Sequence, residues 1–121
     1  MNQGASLVGM RVLVVEDDYY LATDEQQMLQ SAGADVVGPF GNAEEACRAA
    51  ISDELDCALV DINLGSGPCF AVARELRDRG IPFLFTTGYE ATVIPDEFQD
   101  VERAEKPTNA RAIVAALSRM R

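Results

Sequence analysis

Short hydrophobic runs alternate along the chain with segments in which apolar residues recur at helical spacing. The first run, Arg11–Val15, is rich in β-branched residues, as is typical of a strand covered on both faces. The next segment, from about Tyr19 to Ser31, is predicted to be a helix that ends before Gly33. Its residues at helical spacing include one acid among apolar residues: Leu21, Glu25, Met28 and Leu29.

The same alternation continues to the C-terminus and predicts four more strands and three more helices. The strands are predicted at Asp35–Pro39, Asp56–Val60, Ile81–Phe85 and, weakly, Val101–Glu105. One helix is predicted to open at the capping box Asn42–Glu45. A second is predicted to contain Pro68 in its first turn, and a third to cover Asn109–Met120. A further helix within Glu90–Asp100 is expected to be a single turn or absent, because the segment has little helical pattern and contains Pro95.

Strand and helix therefore alternate five times within 121 residues. This order predicts one α/β domain built on a doubly wound parallel sheet with right-handed crossovers. The segment 1–9 is expected to be a flexible tail in front of a domain over 10–121. No aliphatic stretch is long enough to span a bilayer, and the segment 1–9 lacks the pattern of a secretory signal. A cytoplasmic location without a membrane partner is therefore expected.

Acidic residues outnumber basic residues by 20 to 10, so the formal net charge is −10. Such a domain repels a phosphate backbone, and no nucleic-acid partner is expected. The chain contains no histidine, which excludes histidine-dependent catalysis, histidine-ligated zinc and a histidine phosphodonor within the chain. The three cysteines form no CxxC motif and are interpreted as small buried residues: Cys47, Cys57 and Cys69.

Charged and hydroxyl side chains follow four of the five predicted strands. Glu16 and Asp17 follow the first, Asp61 ends the third, Thr87 follows the fourth and Lys106 follows the fifth. Ligands bind at the carboxyl ends of strands in doubly wound sheets, so these side chains are expected to converge. Three clustered carboxylates require a cation, and oxygen ligands without His or Cys suit Mg²⁺, or alternatively Mn²⁺.

Each of these residues also has a plain structural interpretation. Asp17 or Asp18 could cap the first helix, Asp61 could begin an Asx turn, and Lys106 could be a solvated surface charge. Taken one at a time, the functional and structural interpretations are equally supported. The convergence of all of them at one sheet edge favours a functional site.

Four motifs make the chain resemble the receiver domain of bacterial two-component response regulators. They are Val-Leu-Val-Val-Glu-Asp-Asp at 12–18, Leu-Val-Asp-Ile-Asn-Leu at 59–64, Pro-Phe-Leu-Phe-Thr-Thr-Gly-Tyr at 82–89 and Glu-Lys-Pro at 105–107. The resemblance covers 11–120 and implies a flavodoxin-like, CheY-like sheet of order 2-1-3-4-5. The motif at 82–89 is also similar to the PFxFATGY signature of a single-domain subgroup associated with general stress response signalling, with Thr86 in place of Ala.

The resemblance implies a role for each residue of the cluster. Asp61 is expected to be the phosphoacceptor, with Thr87 bonding the phosphoryl group and Lys106 pairing with its oxygens. Asp17 is expected to bind Mg²⁺ directly, Glu16 through water, and Asn63 through its backbone carbonyl. The peptide between Lys106 and Pro107 is expected to be cis.

The resemblance also implies the direction of signalling. A sensor histidine kinase or a histidine phosphotransfer protein is expected to supply the phosphoryl group, and a downstream protein is expected to receive the signal. The chain itself is expected not to be an enzyme beyond its own phosphorylation and dephosphorylation.

One departure from the family concerns the output. Arg103 stands where receivers usually carry an aromatic switch residue. A guanidinium is costly to bury, so Arg103 is expected at the surface, paired loosely with an acid of the segment 95–100, Glu102 or Glu105. Thr87, Gly88 and Tyr89 are expected to carry the conformational change instead.

Three other functions compete with this interpretation. The strongest is a receiver-like binding module that works without phosphorylation. An Mg²⁺-dependent phosphatase with an aspartate nucleophile would need a second acid where Asn63 stands. A flavin-binding protein would need a phosphate loop rich in hydroxyl groups and glycine after the first strand, where this chain has carboxylates.

Overall fold

The computed structural model describes residues 6–64, 68–88 and 94–120. Five strands and four α-helices lie along these residues. In chain order they are β1 Arg11–Val15, α1 Tyr19–Ser31, β2 Asp35–Phe40, α2 Ala43–Ser52, β3 Cys57–Asp61, α3 Ala71–Asp78, β4 Phe83–Thr87, β5 Arg103–Glu105 and α4 Ala110–Ser118.

The five strands form one parallel sheet in the order β2-β1-β3-β4-β5. This is the doubly wound sheet that the sequence predicts. The order reverses between β1 and β3, so the carboxyl ends of these two strands flank the crevice in which such sheets bind ligands. In the β3–β4 register Asp61 lies opposite Thr86, and in the β4–β5 register Thr87 lies opposite Glu105.

The sheet is covered on both faces, which explains the uninterrupted apolar strands. Successive side chains of a strand point to opposite faces, and β1 accordingly divides its residues between two cores. Leu13 and Val15 pack with α2 and α3. Val12 and Val14 pack with residues of α1 and α4, including Leu29 and Leu117. The strands are therefore anchored from both sides, and their carboxyl ends present polar side chains from a rigid frame.

Side-chain caps begin three of the four helices. Asp18 accepts hydrogen bonds from the backbone N–H of Tyr20 and Leu21, and Asn42 accepts one from Glu45. Asn109 caps α4 in the same way. Each cap satisfies backbone donors that the first helical turn leaves unpaired.

The third helix begins later than the sequence predicts. Pro68 is not in its first turn but forms an isolated bridge with Asn63, and α3 begins at Ala71 without a side-chain cap. The backbone N–H of Cys69 donates to Ile62 O at 2.7 Å. The chain therefore doubles back on the end of β3 before the helix starts.

The connection between β4 and β5 contains one short 3₁₀ turn, Asp96–Phe98, in its described part. This agrees with the expectation of a short or degenerate helix there. Phe98 is fully buried, and its ring lies 5.8 Å from that of Phe70 and 5.9 Å from that of Phe85. The turn is thereby anchored in the core on the α3 side of the sheet.

The expected boundary between tail and domain is wrong at residue 7. Leu7 is fully buried and belongs to the core formed with α1 and α4. Its N–H donates to Ala32 O at 2.8 Å, and its carbonyl accepts from Met10 N–H. The segment 1–5 lies outside the described residues, so the expectation of a flexible tail there is not addressed.

Candidate functional site

Three acidic residues follow β1, and each has a different position and different contacts. Asp18 caps α1, so it fills the structural role that was open for either Asp17 or Asp18. Its N–H also donates to Glu16 Oε2 at 3.2 Å, which turns the Glu16 side chain toward the sheet edge. Glu16 is 3% exposed, whereas Asp17 is exposed. Asp17 is left without a capping role at the mouth of the cleft.

Asp61 ends β3 beside this acidic segment and is 2% exposed. Its Oδ1 accepts a hydrogen bond from Asn63 N–H at 3.1 Å, so the Asx turn considered from the sequence does form. Its Oδ2 lies 3.1 Å from Lys106 Nζ. Asp61 thus stabilises a local turn through Oδ1 and contacts Lys106, which is distant in sequence, through Oδ2.

Lys106, the only lysine of the chain, is not a solvated surface charge. Its ammonium pairs with Asp61 at 3.1 Å and lies 3.5 Å from Glu16 Oε1, and only 26% of its side chain is exposed. Its backbone N–H donates to Thr87 O at 2.8 Å, so the end of the sheet positions it. The peptide between Lys106 and Pro107 is cis.

Burial and the neighbouring charges shift the pKa values of Glu16 and Lys106. Burial, together with the hydrogen bond and the negative charge of Asp61, raises the pKa of Glu16 from 4.5 to about 8. Burial disfavours the charged form of Lys106, but the carboxylates of Asp61 and Glu16 outweigh this effect and raise its pKa. The ammonium therefore keeps its charge at neutral pH, while the cluster has too little positive charge for its acids.

The donor set of the cluster fits a hard divalent cation. Carboxylate oxygens of Glu16, Asp17 and Asp61 all lie within 4.8 Å of one another. Among the described residues, the buried Glu16 Oε1 has no hydrogen-bond partner, and its contact with Lys106 is an ion pair of 3.5 Å. Three oxygen ligands, one of them a buried oxygen without a hydrogen-bond partner, match the preference of Mg²⁺ rather than that of zinc. Asn63 borders the same cleft.

Two of the predicted switch residues lie at the end of β4, next to this cluster. Thr87 is fully buried, and its hydroxyl donates to Gly88 O at 3.2 Å. Tyr89 lies outside the described residues, so its predicted role is not addressed.

Arg103 is half-buried in β5 opposite Phe85. The prediction that an acidic side chain pairs with it is wrong. The guanidinium donates to Gln99 O at 3.2 Å. Three of the acids thought available pair with other arginines: Glu97 with Arg74, Asp100 with Arg77 and Glu102 with Arg119.

Sequence reasoning assigned no role to Glu25, which is the remaining buried acid among the described residues. It is 4% exposed, and its Oε1 has no hydrogen-bond partner among them. Burial raises its pKa from 4.5 to about 7, although the charge of Lys106 opposes the shift. The available signal was an acid at helical spacing from Leu21 and Leu29 on the inward face of α1.

A doubly wound sheet with carboxylates at the ends of β1 and β3, and a lysine after β5 that reaches both, defines a flavodoxin-like protein with an acidic cleft. The family model of the response regulator receiver domain matches residues 12–118. The chain belongs to this family and is a receiver domain of two-component systems.

The comparisons with individual proteins agree with this assignment. The chain is 33% identical over 97 residues to the sensor protein TorS of Escherichia coli K12, covering 79% of this chain and 10% of TorS. It spans less than half the length of the curated relatives it matches.

Two solved structures share the fold over nearly the whole chain. The crystal structure of a response regulator receiver protein from Sinorhizobium medicae WSM419 has a TM-score of 0.76 at 25% identity, with 95% of this chain and 96% of that chain covered. The receiver domain of the sensor histidine kinase PA1611 from Pseudomonas aeruginosa PAO1, crystallised with magnesium in its active-site cleft, has a TM-score of 0.76 at 22% identity, with 93% and 98% covered. Within the described residues, every helix is too short or too polar to cross a membrane.

Proposed function

We propose that this receiver domain accepts a phosphoryl group from a phosphohistidine onto Asp61 and passes the signal on by protein–protein contact. The observation that carries the proposal is the placement of Lys106 Nζ 3.1 Å from Asp61 Oδ2 at an edge lined by carboxylates. The donor would be a sensor histidine kinase or a histidine phosphotransfer protein in the cytoplasm. Beyond its own phosphorylation and dephosphorylation, the chain would have no enzymatic activity.

In the proposed phosphoryl transfer, Asp61 is the one residue of the protein that forms a covalent bond. A carboxylate oxygen of Asp61 forms a P–O bond while the P–N bond of the donor breaks, and the bonding electron pair returns to the imidazole. Such a transfer depends on positioning and on stabilising the charge of the phosphoryl oxygens. Lys106 is already beside Asp61 and supplies one positive charge. Thr87 ends β4, the strand next to β3, and offers a hydroxyl for a phosphoryl oxygen.

Glu16, Asp17 and Asp61, with the backbone carbonyl of Asn63, would hold Mg²⁺ or Mn²⁺. The ion supplies positive charge that a single lysine does not provide for this cluster and for a phosphoryl group. Support comes from the mutual distances of the three carboxylates and from the unsatisfied Oε1 of Glu16.

The signal would leave the site through Thr87, Gly88 and Tyr89, which belong to the motif at 82–89 that is similar to the PFxFATGY signature. Arg103 would not act as a switch, because its guanidinium is held by Gln99 O near the surface. A Tyr89→Ala variant is then expected to accept phosphate but to bind its downstream partner weakly. Arg103→Ala is expected to respond nearly normally, and the opposite order would refute this route.

Intact-mass measurement after incubation with Mg²⁺ and acetyl phosphate tests the phosphoacceptor role. The wild type should gain one phosphoryl group, and Asp61→Asn should gain none. Asp78→Asn is the matched control, because Asp78 ends α3 at an exposed position and the change removes the same charge. An unmodified wild type would favour a binding module that works without phosphorylation.

A further inference from the structure

A cavity of about 360 Å³ lies between α1 and the segment that follows β5. Its volume is within the range of small-molecule sites. It is separate from the acidic cleft, although Leu21 and Lys106 border both. The phosphorylation chemistry proposed above makes no use of this cavity.

Glu25 is the unusual residue of this cavity. It lies on the inward face of α1, is 4% exposed, and leaves Oε1 without a hydrogen-bond partner among the described residues. A buried carboxyl oxygen without a partner is costly, because it loses its hydration and gains nothing in return. Lys106 borders the cavity, but its ammonium is directed to Asp61 and Glu16.

The other residues that line the cavity indicate which kind of ligand could pair with the Glu25 carboxylate. Asp24 adds a second carboxylate at the exposed side. Leu21, Met28, Pro107 and Ala110 line the cavity with apolar surface. An amphipathic cation matches both features, because its charged end can meet the carboxylates while its aliphatic stem covers the apolar wall. The net charge of −10 further favours a cation.

We infer that the cavity between α1 and the segment 106–110 binds a guanidinium or ammonium group carried on a short aliphatic stem, with Glu25 as its principal partner. The same chemistry is found in a free alkylamine and in an arginine or lysine side chain. Binding requires the carboxylate form of Glu25. It is therefore expected to tighten between pH 6 and pH 8, since the pKa of Glu25 is raised to about 7 by burial and by Asp61, Asp18 and Asp24 against the opposing charge of Lys106.

Butylguanidinium and N-acetyl-arginine amide are suitable probes, with n-butanol as the uncharged comparison. Amide chemical shifts of the full chain would be followed during titration with saturating Mg²⁺ present, so that the acidic cleft is already supplied with a cation. Shifts are expected at Leu21, Met28 and Thr108 with both cations and not with butanol. Binding of butylguanidinium but not of the arginine amide would also support the site and would identify a free ligand as its source.

Three variants decide whether Glu25 is responsible. Glu25→Gln should weaken binding about tenfold, the effect of losing one charge-assisted hydrogen bond, and should abolish the pH dependence. Glu54→Gln removes the same charge at an exposed position before β3 and should change nothing. Equal binding by Glu25→Gln and wild type would overturn the inference. So would binding that Asp17→Asn abolishes, because the cation would then lie in the acidic cleft.

Discussion

Lys106 is the residue on which the charge balance of the site depends. Its ammonium lies between the nearly buried carboxylates of Asp61 and Glu16. Removing one member of such a group leaves the others buried without compensation, which costs more than the pair itself contributes. The same charge is what the proposed chemistry would use, so stability and function should separate in variants of this residue.

Lys106→Ala is expected to remain folded but to lose about 1–3 kcal/mol of stability at pH 7, less than a fully buried pair would lose. Denaturant unfolding would measure the change. Adding Asp61→Asn to this variant should recover part of the loss, because the buried charge of Asp61 is then removed. Arg111→Ala, which removes a positive charge at an exposed position of α4, should have little effect. An equal loss in both single variants would mean that Lys106 acts only through net charge.

Glu25 should make the stability of the metal-free protein depend on pH. Its pKa is about 7 in the folded state against an ordinary value of 4.5, so between these values the folded state binds more protons than the unfolded state. Stability should therefore fall as pH rises from about 4.5 to 7, by roughly 2–3 kcal/mol at most from this residue. Glu16 contributes with the same sign.

The comparison of wild type with Glu25→Gln isolates the contribution of Glu25 from that of Glu16. The variant should equal the wild type near pH 5 and exceed it in stability at pH 8. Unfolding curves at both values would measure the difference. A constant difference between the two proteins across this range would show that Glu25 does not titrate there.

At the scale of elements, α3 holds the 3₁₀ turn of the β4–β5 connection against the sheet. Arg74 makes two hydrogen bonds to Glu97, and Arg77 reaches Asp100. Both guanidinium groups also lie over the ring of Phe98, at 5.8 and 5.1 Å from its centre. The turn is therefore held by its buried aromatic side chain and by two arginines outside it.

Replacing Arg74 and Arg77 together by alanine is expected to loosen this turn more than the rest of the fold. Exposed ion pairs contribute roughly 0.2–1 kcal/mol each, so global stability should change little. Hydrogen exchange of the amides of Phe98, Gln99 and Val101 should accelerate, because their acceptors lie within the same turn. Arg48→Ala, which breaks a pair within α2, is the control. Unchanged exchange in the double variant would show that Phe98 alone holds the turn.

Sequence patterns predicted elements best where the signal was local. Asn42 and Asn109 begin their helices as expected, because a cap depends on residues within one turn. Pro68 misled the prediction of α3, because its bridge to Asn63 depends on how the chain folds back after β3. The burial of Phe98 could not be predicted either, since its neighbours are supplied by α3 and β4.

At the scale of the whole molecule, Mg²⁺ is expected to stabilise the folded chain, because only the folded state assembles the acidic cluster. Binding adds about 2.7 kcal/mol at a concentration one hundred times the dissociation constant. Thermal unfolding with and without millimolar Mg²⁺ would measure the effect. Asp17→Asn should lose most of it and gain stability without metal, while Asp78→Asn should respond like the wild type. An unchanged melting temperature in the wild type would exclude the metal site.

The residues of the site could be predicted from the sequence, because the carboxyl ends of parallel strands lie at the same edge of the sheet. Glu16, Asp61 and Lys106 lie together there as predicted. Two features depended on contacts that are distant in sequence. Leu7, which lies before the expected domain boundary, donates a backbone hydrogen bond to Ala32 O. Glu25 was recognisable as an inward acid, but nothing in the sequence indicated the cavity beside it.

The position of the covalent bond tests the central claim most directly. After incubation with Mg²⁺ and acetyl phosphate, borohydride reduction would convert an aspartyl phosphate to homoserine, and peptide mass spectrometry would locate it. We predict homoserine at Asp61 in the wild type and at no residue in Asp61→Asn. Homoserine at another aspartate in the wild type, or none at all, would contradict the assignment of Asp61 as the phosphoacceptor.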